Sequence, residues 1–153
     1  MQRWAARLGA GVLALAGQAA MAQGALELSD AWVRALPPGQ PATAAYLVVH
    51  NTGSEPVTVD AASASGAGRV EMHDTLQEDG MSRMRQRHQV TVPAGDVLRF
   101  QPGGLHLMLL ELEAMPREGE TVRLCLHSSE REHCIDAPVR RQAGGGHDHH
   151  GHH

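Results

Sequence analysis

The sequence contains no lysine, four aromatic residues and two cysteines, and beyond its first 22 residues it has no long apolar run. Without lysine, the 13 positive charges are all arginine, and against 17 acids they leave a formal net charge of −4. That balance argues against a nucleic-acid surface, which neutralises phosphates with clustered cations. Only Trp32, Tyr46 and Phe100 remain as aromatics after residue 22, so a core must be made of Leu, Val and Ala. No later segment approaches the roughly 20 apolar residues of a membrane span. At 153 residues one domain is expected, and 42% apolar with 20% charged residues excludes wholesale disorder. The surplus lies elsewhere: 11 His and 7 Met. Imidazole is the commonest metal ligand.

Residues 1–22 read as a secretory leader. Arg3 and Arg7 form a positive start, residues 8–17 (LGAGVLALAG) an apolar run, and Ala20-Met21-Ala22 an A-x-A cleavage signature, placing cleavage after Ala22. A membrane anchor would need a longer run and a stop-transfer pattern. The alanine-rich style points to a bacterial periplasm, an oxidising compartment in which exposed thiols become disulfides. Removing the leader leaves 11 Arg against 17 acids. A mature chain of this length buries about two-thirds of its unfolded surface and needs no disulfide to fold.

Short strands follow one another along the mature chain. Segments 26–34, 43–50, 56–61, 70–73, 84–92, 97–101, 105–112, 121–127 and 133–139 are β-like, punctuated by Pro37-Pro38-Gly39-Gln40-Pro41, Asn51-Thr52-Gly53, a small-residue loop at 63–68 and a polar connection through Asp79-Gly80. This spacing predicts an all-β fold, a cupredoxin-like or immunoglobulin-like Greek-key sandwich of about eight or nine short strands. Three regions result: the leader 1–22, a β-domain 23–141 and a polar low-complexity tail 142–153 that cannot bury apolar surface.

In the strand 105–112, alternation puts Leu105, Leu107 and Leu109 on one face and His106 with Met108 on the other. A Met in a Leu-rich strand is ordinarily core filler. In Val70-Glu71-Met72-His73, however, His73 shares a face with Glu71, and Met84 stands between Arg83 and Arg85, an odd place for a core thioether. The four residues give His73-x10-Met84-x21-His106-x-Met108. This spacing, with DAWVRALPPGQPATAAYLVVHNTG, VEMHDT and VPAGDVLRFQPGGLHLMLLEL around it, resembles the periplasmic copper chaperones of the PCu(A)C family from about Asp30 to the last strand pair. Met72 and Met81 are the nearest alternatives, because a register slip of one residue exchanges faces.

Thioether sulfur and imidazole nitrogen suit Cu(I), a soft ion, and do not suit Mg²⁺ or Ca²⁺. Thioethers also form no disulfides, although they can oxidise to sulfoxides. A site without an anionic ligand should hold Cu(I) yet yield it to a thiolate acceptor, as a carrier does. The resemblance implies the destination: the copper-site subunit of cytochrome c oxidase, served alongside a Sco-type thiol protein. A copper-sequestration role is the neighbouring reading. An electron-transfer cupredoxin needs a Cys thiolate with two His and an axial Met, and neither cysteine has such neighbours. No acid–base pair or C-x-x-C suggests an enzyme. The protein is expected to be monomeric, with metal-bridged dimers as an alternative.

His147, His149, His150, His152 and His153 fill five of the last seven positions, interrupted by Asp148 and Gly151. Neutral imidazoles beside a carboxylate suit Cu(II). Cys125 and Cys134 fall opposite each other in a symmetric hairpin, which makes them a disulfide candidate; a redox or copper-binding pair helped by His127 is the alternative. His50, His88 and His133 have no motif context and read as solvated strand histidines.

Overall fold

The alternation seen in the sequence carries directly into the architecture. A computed structural model describes residues 26–129 and 131–141, so the leader and the five tail histidines lie outside the described residues. Ten strands run in order: β1 (Leu26–Arg34), β2 (Ala42–Asn51), β3 (Val57–Ala64), β4 (Ala67–Glu78), β5 (Met81–Arg87), β6 (Val90–Val92), β7 (Val97–Phe100), β8 (His106–Leu112), β9 (Thr121–Ser128) and β10 (Glu132–Arg140). Among the described residues there is no helix.

The strands are bonded in the order β5-β4-β8-β2-β1-β10-β9-β3-β6, with β7 also on β2. Pairing is antiparallel except between β1 and β10, where Val33 lies beside Val139. The two ends of this order, β5 and β6, are joined by only His88 and Gln89. So short a link brings the ends of the sheet together, and the two halves fold onto one core. Leu107 and Leu109 of β8, Ala45, Leu47 and Val49 of β2, Leu124 and Leu126 of β9, and Val90 and Val92 of β6 meet there. Phe100 joins them as the core's aromatic, while Trp32 and Tyr46 are buried outside that cluster.

The buried side chains of Thr43 and Asn51 are satisfied, whereas His73 Nδ1 and His133 Nε2 have no partner. Asn51 Nδ2 donates to the carbonyls of Glu55 (2.7 Å) and Val92 (2.9 Å), and its Oδ1 accepts the Gly53 amide at 3.0 Å. This one side chain ties β2 to β6 across the core, as a fully buried amide must to avoid a large desolvation cost. The β4–β5 hairpin turns at Asp79-Gly80, both with positive φ (52° and 75°), the geometry that two-residue hairpins favour.

Three expectations are corrected. Segment 84–92 is two strands: Met84 to Arg87 lie exposed at one edge, while Val90 and Val92 enter the core at the other. The small-residue stretch 63–68 is mostly strand, and the chain turns only at Ser65-Gly66. His133 is half-buried on β10 with its Nε2 unpartnered, and burial pushes its pKa down, so it is not a solvated histidine.

Candidate metal centre

On β8, the two-residue period turns Leu107 and Leu109 into the core, which obliges His106 and Met108 to face outward. On β4 the same rule buries Met72 and sends Glu71, His73 and Thr75 out. The registers then bring the outward groups together. His73 lies directly opposite His106, Glu71 opposite Met108, and Ala44 of β2 on the far side of Met108. Across the hairpin, Thr75 lies opposite Met84 and His73 opposite Gln86.

Met84, His106 and Met108 line a cavity of about 390 Å³ together with Thr75, Tyr46 and Arg34. His73 stands beside it, its ring centroid 5.9 Å from that of His106. The alternatives fall elsewhere. Met72 is 4% exposed and belongs to the core, and Met81 lies across from Glu78 with its side chain on the opposite face.

Each imidazole has one nitrogen committed. His73 Nε2–H donates to Glu71 Oε2 at 2.8 Å, which leaves Nδ1 as a lone pair; that Nδ1 is buried and has no partner. His106 Nδ1–H donates to the Gly104 carbonyl at 2.8 Å, which leaves Nε2 as its lone pair. These tautomers follow from the acceptors, a carboxylate and a carbonyl. Glu71 is held in turn by Arg69, whose Nε is 3.0 Å from Oε1. The bond to His73 first, and Arg69 after it, hold the Glu71 carboxyl below the usual carboxylate range. The sequence reading noted that Glu71 shares a face with His73 but missed its role as the group that sets the ring.

Tyr46 is the aromatic residue that lines this cavity. Trp32 and Tyr46 pack with centroids 4.6 Å apart, and the Arg34 guanidinium lies 5.4 Å from the Tyr46 ring. Imidazole lone pairs and thioethers are donors that suit a soft ion; Met84, Met108 and His106 line this recess, and His73 stands beside it.

Cys125 and Cys134 face each other on β9 and β10 and are bonded, Cα–Cα 4.1 Å. There is no free cysteine among the described residues, so no thiolate is at hand for a blue-copper site near His73 and His106.

Comparisons with known proteins bear on the family and the fold. The family model described as "Putative lipoprotein LpqE-like" matches residues 26–139. A curated protein of Leifsonia xyli subsp. xyli, also described as a lipoprotein, is 35% identical over 106 residues, 69% of this chain. The chain spans 63% of that relative's length. The solution structure of CuI-DR1885 from Deinococcus radiodurans is 32% identical, with 82% of this chain and 86% of that one covered, at a TM-score of 0.61. The copper-bound PCuAC domain from PmoF2 is 20% identical and covers 76% of this chain and 93% of its own, at a TM-score of 0.64; it speaks for the fold alone.

Proposed function

The chain belongs to the LpqE-like family, and we propose that it acts there as an exported copper chaperone. The cargo is Cu(I), held by His73 Nδ1, His106 Nε2 and the sulfurs of Met84 and Met108. One observation carries this reading: His73 Nδ1 is buried and unpartnered while Glu71 occupies the other nitrogen. A buried polar atom without a partner is costly, and a cation that accepts its lone pair removes the cost. The Cu(I)-containing structure that is 32% identical to this chain supports the identity of the metal.

Release follows from the same ligand set. All four ligands are neutral, so a thiolate acceptor wins Cu(I) by its charge and softness. Met84 is the ligand within reach of such an acceptor, because it sits on the edge strand β5 and is 63% exposed. The acceptors we infer are the copper-site subunit of a cytochrome c oxidase and a Sco-type thiol protein. The leader ending at Ala22 and the family's lipoprotein description support the periplasm as the site of work. The tail histidines, His147, His149, His150, His152 and His153, collect Cu(II) in this scheme.

The test is Cu(I) titration against a competing chelator with Met84→Ala and Met108→Ala. Unchanged affinity in both variants rejects the site. Transfer to a Cu(A)-site domain then separates delivery from sequestration, since a storage protein keeps its copper when offered that acceptor.

A further inference from the structure

The outward face of the other half of the sheet carries a second group of donors that copper delivery does not use. Leu124 and Leu126 point into the core, so Cys125 and His127 point out. Register places Cys134 opposite Cys125, Glu132 opposite His127, and Ser63 of β3 opposite Cys125 on its other side. The Sγ atoms of Cys125 and Cys134 and a Glu132 carboxylate oxygen all lie within 4.8 Å of one another. His127 Nε2 is 3.7 Å from Glu132 Oε1 and 3.0 Å from Ser63 Oγ.

We propose that this face is a reduction-gated site for Zn²⁺, closed as the Cys125–Cys134 disulfide and opened when an external dithiol reduces it. Two thiolates, an imidazole and a carboxylate form a donor set that Zn²⁺ takes in tetrahedral geometry, with ligand bonds of about 2.0–2.3 Å. Two thiolates attract Cu(I) as well, so it is the carboxylate and the imidazole that fit the set to Zn²⁺. A bridge that served only to staple β9 to β10 has no need of a histidine and a glutamate on the same face. Cys134 is half-buried and Cys125 nearly fully buried, so Cys134 is the sulfur that a reductant reaches.

The exchange balances. A thiolate of the dithiol attacks Cys134 Sγ, the S–S bond breaks, and its electron pair leaves on Cys125 Sγ. The reductant's second thiol attacks the mixed disulfide, releases Cys134 and leaves the reductant as a disulfide. Two electrons and two protons have passed to the protein. Zn²⁺ then displaces both thiol protons to solvent and binds the thiolates.

Co²⁺ is the probe, because thiolate-to-cobalt charge transfer reports sulfur ligation and the tail histidines give none. The full chain, reduced anaerobically with dithiothreitol and freed of it, should develop that band, and Zn²⁺ should bleach it. The oxidised chain should show none. Cys134→Ser should abolish the band. Glu132→Gln and His127→Ala, with both cysteines kept, should each weaken Co²⁺ binding by about tenfold or more. Met84→Ala and Met108→Ala should leave it unchanged, so failure here is separable from failure of the Cu(I) site. The proposal is overturned by a reduced chain without the band, by a band indifferent to Glu132→Gln and His127→Ala, or by loss of the β circular-dichroism signal on reduction.

Discussion

His73 and His106 are direct cross-strand partners, their ring centroids 5.9 Å apart and their planes 56° apart, and each ring is fixed by a different acceptor. Glu71 holds one through Nε2 and the Gly104 carbonyl holds the other through Nδ1. The free nitrogens are therefore of opposite kind, Nδ1 on His73 and Nε2 on His106. Two facing histidines with identical tautomers would need a different ring placement to serve one ion. The hydrogen bonds behind the two rings decide this, as such bonds do in most metal sites.

Glu71 should accordingly control affinity without touching the metal. Glu71→Ala frees the His73 ring and is expected to weaken Cu(I) binding by about 10–100-fold. Glu71→Gln keeps an oxygen that accepts Nε2–H and should recover most of that loss. Chelator competition on the two variants checks the order; equal losses would mean that charge, and not ring orientation, is what Glu71 supplies.

Stability and metal binding should separate cleanly between Met84 and Met72. Met84 is 63% exposed, so Met84→Ala should change stability by no more than about 0.5 kcal/mol while reducing Cu(I) affinity. Met72 is 4% exposed in the core, and Met72→Ala should cost about 2–5 kcal/mol and spare the affinity. Denaturant melts and Cu(I) titrations on both variants read the two effects independently.

The legible and illegible parts of this fold divide along physical lines. β1 was readable to both its ends although a bulge between Ser29 and Trp32 breaks its alternation and buries Ala31, Trp32 and Val33 in a row. Alternation in β8 put His106 and Met108 on one face because Leu107 and Leu109 claimed the other. The β5–β6 boundary was hidden because Arg87, His88 and Gln89 interrupt no hydrophobic pattern: β5 is exposed throughout and has none to interrupt. The spacing of His73, Met84, His106 and Met108 named residues without their distances. The His73–His106 pairing is a register fact, and the 32 residues between the two histidines carry no local pattern that aligns them. Glu71 as the group that sets His73 depends on a side-chain rotamer, which no sequence pattern specifies.

Deletion of residues 142–153 should remove Cu(II) binding and leave Cu(I) binding at His73, Met84, His106 and Met108 intact. In the full chain, Cu(II) affinity should fall as pH drops through about 6.5, where imidazoles protonate and lose their lone pairs. Isothermal titration at two pH values checks both statements. Full Cu(II) stoichiometry in the truncated chain would remove the tail from the scheme.

Reduction of Cys125–Cys134 should weaken the fold without abolishing it. The bridge closes a short loop, with a sequence separation of 9, and chain entropy assigns it about 2–3 kcal/mol. β9 and β10 remain paired over seven registered positions, and Leu124 and Leu126 stay in the core. Urea melts with and without dithiothreitol should show a lower midpoint with the slope equal or slightly steeper, because the reduced unfolded chain is freer; a shallower slope would mean that reduction also loosens the native state.

Tyr46 offers a direct probe of the cavity wall, because the chain has one tyrosine and its phenolate absorbance is unambiguous. Burial raises its pKa above the usual 10.0, and the Arg34 guanidinium, 5.4 Å from the ring, pulls it partly back. Arg34→Gln should therefore raise the phenol further. The linked effect on stability has a definite sign: a folded pKa above the unfolded value lets the unfolded chain lose its proton first, so stability falls as pH rises past about 10. Spectrophotometric titration of both proteins gives the order, wild type above a free phenol and Arg34→Gln above wild type. An unshifted titration in the variant would mean that Arg34 does not hold its place over Tyr46 in solution, and the cavity beside His106 and Met108 would lose its charged wall.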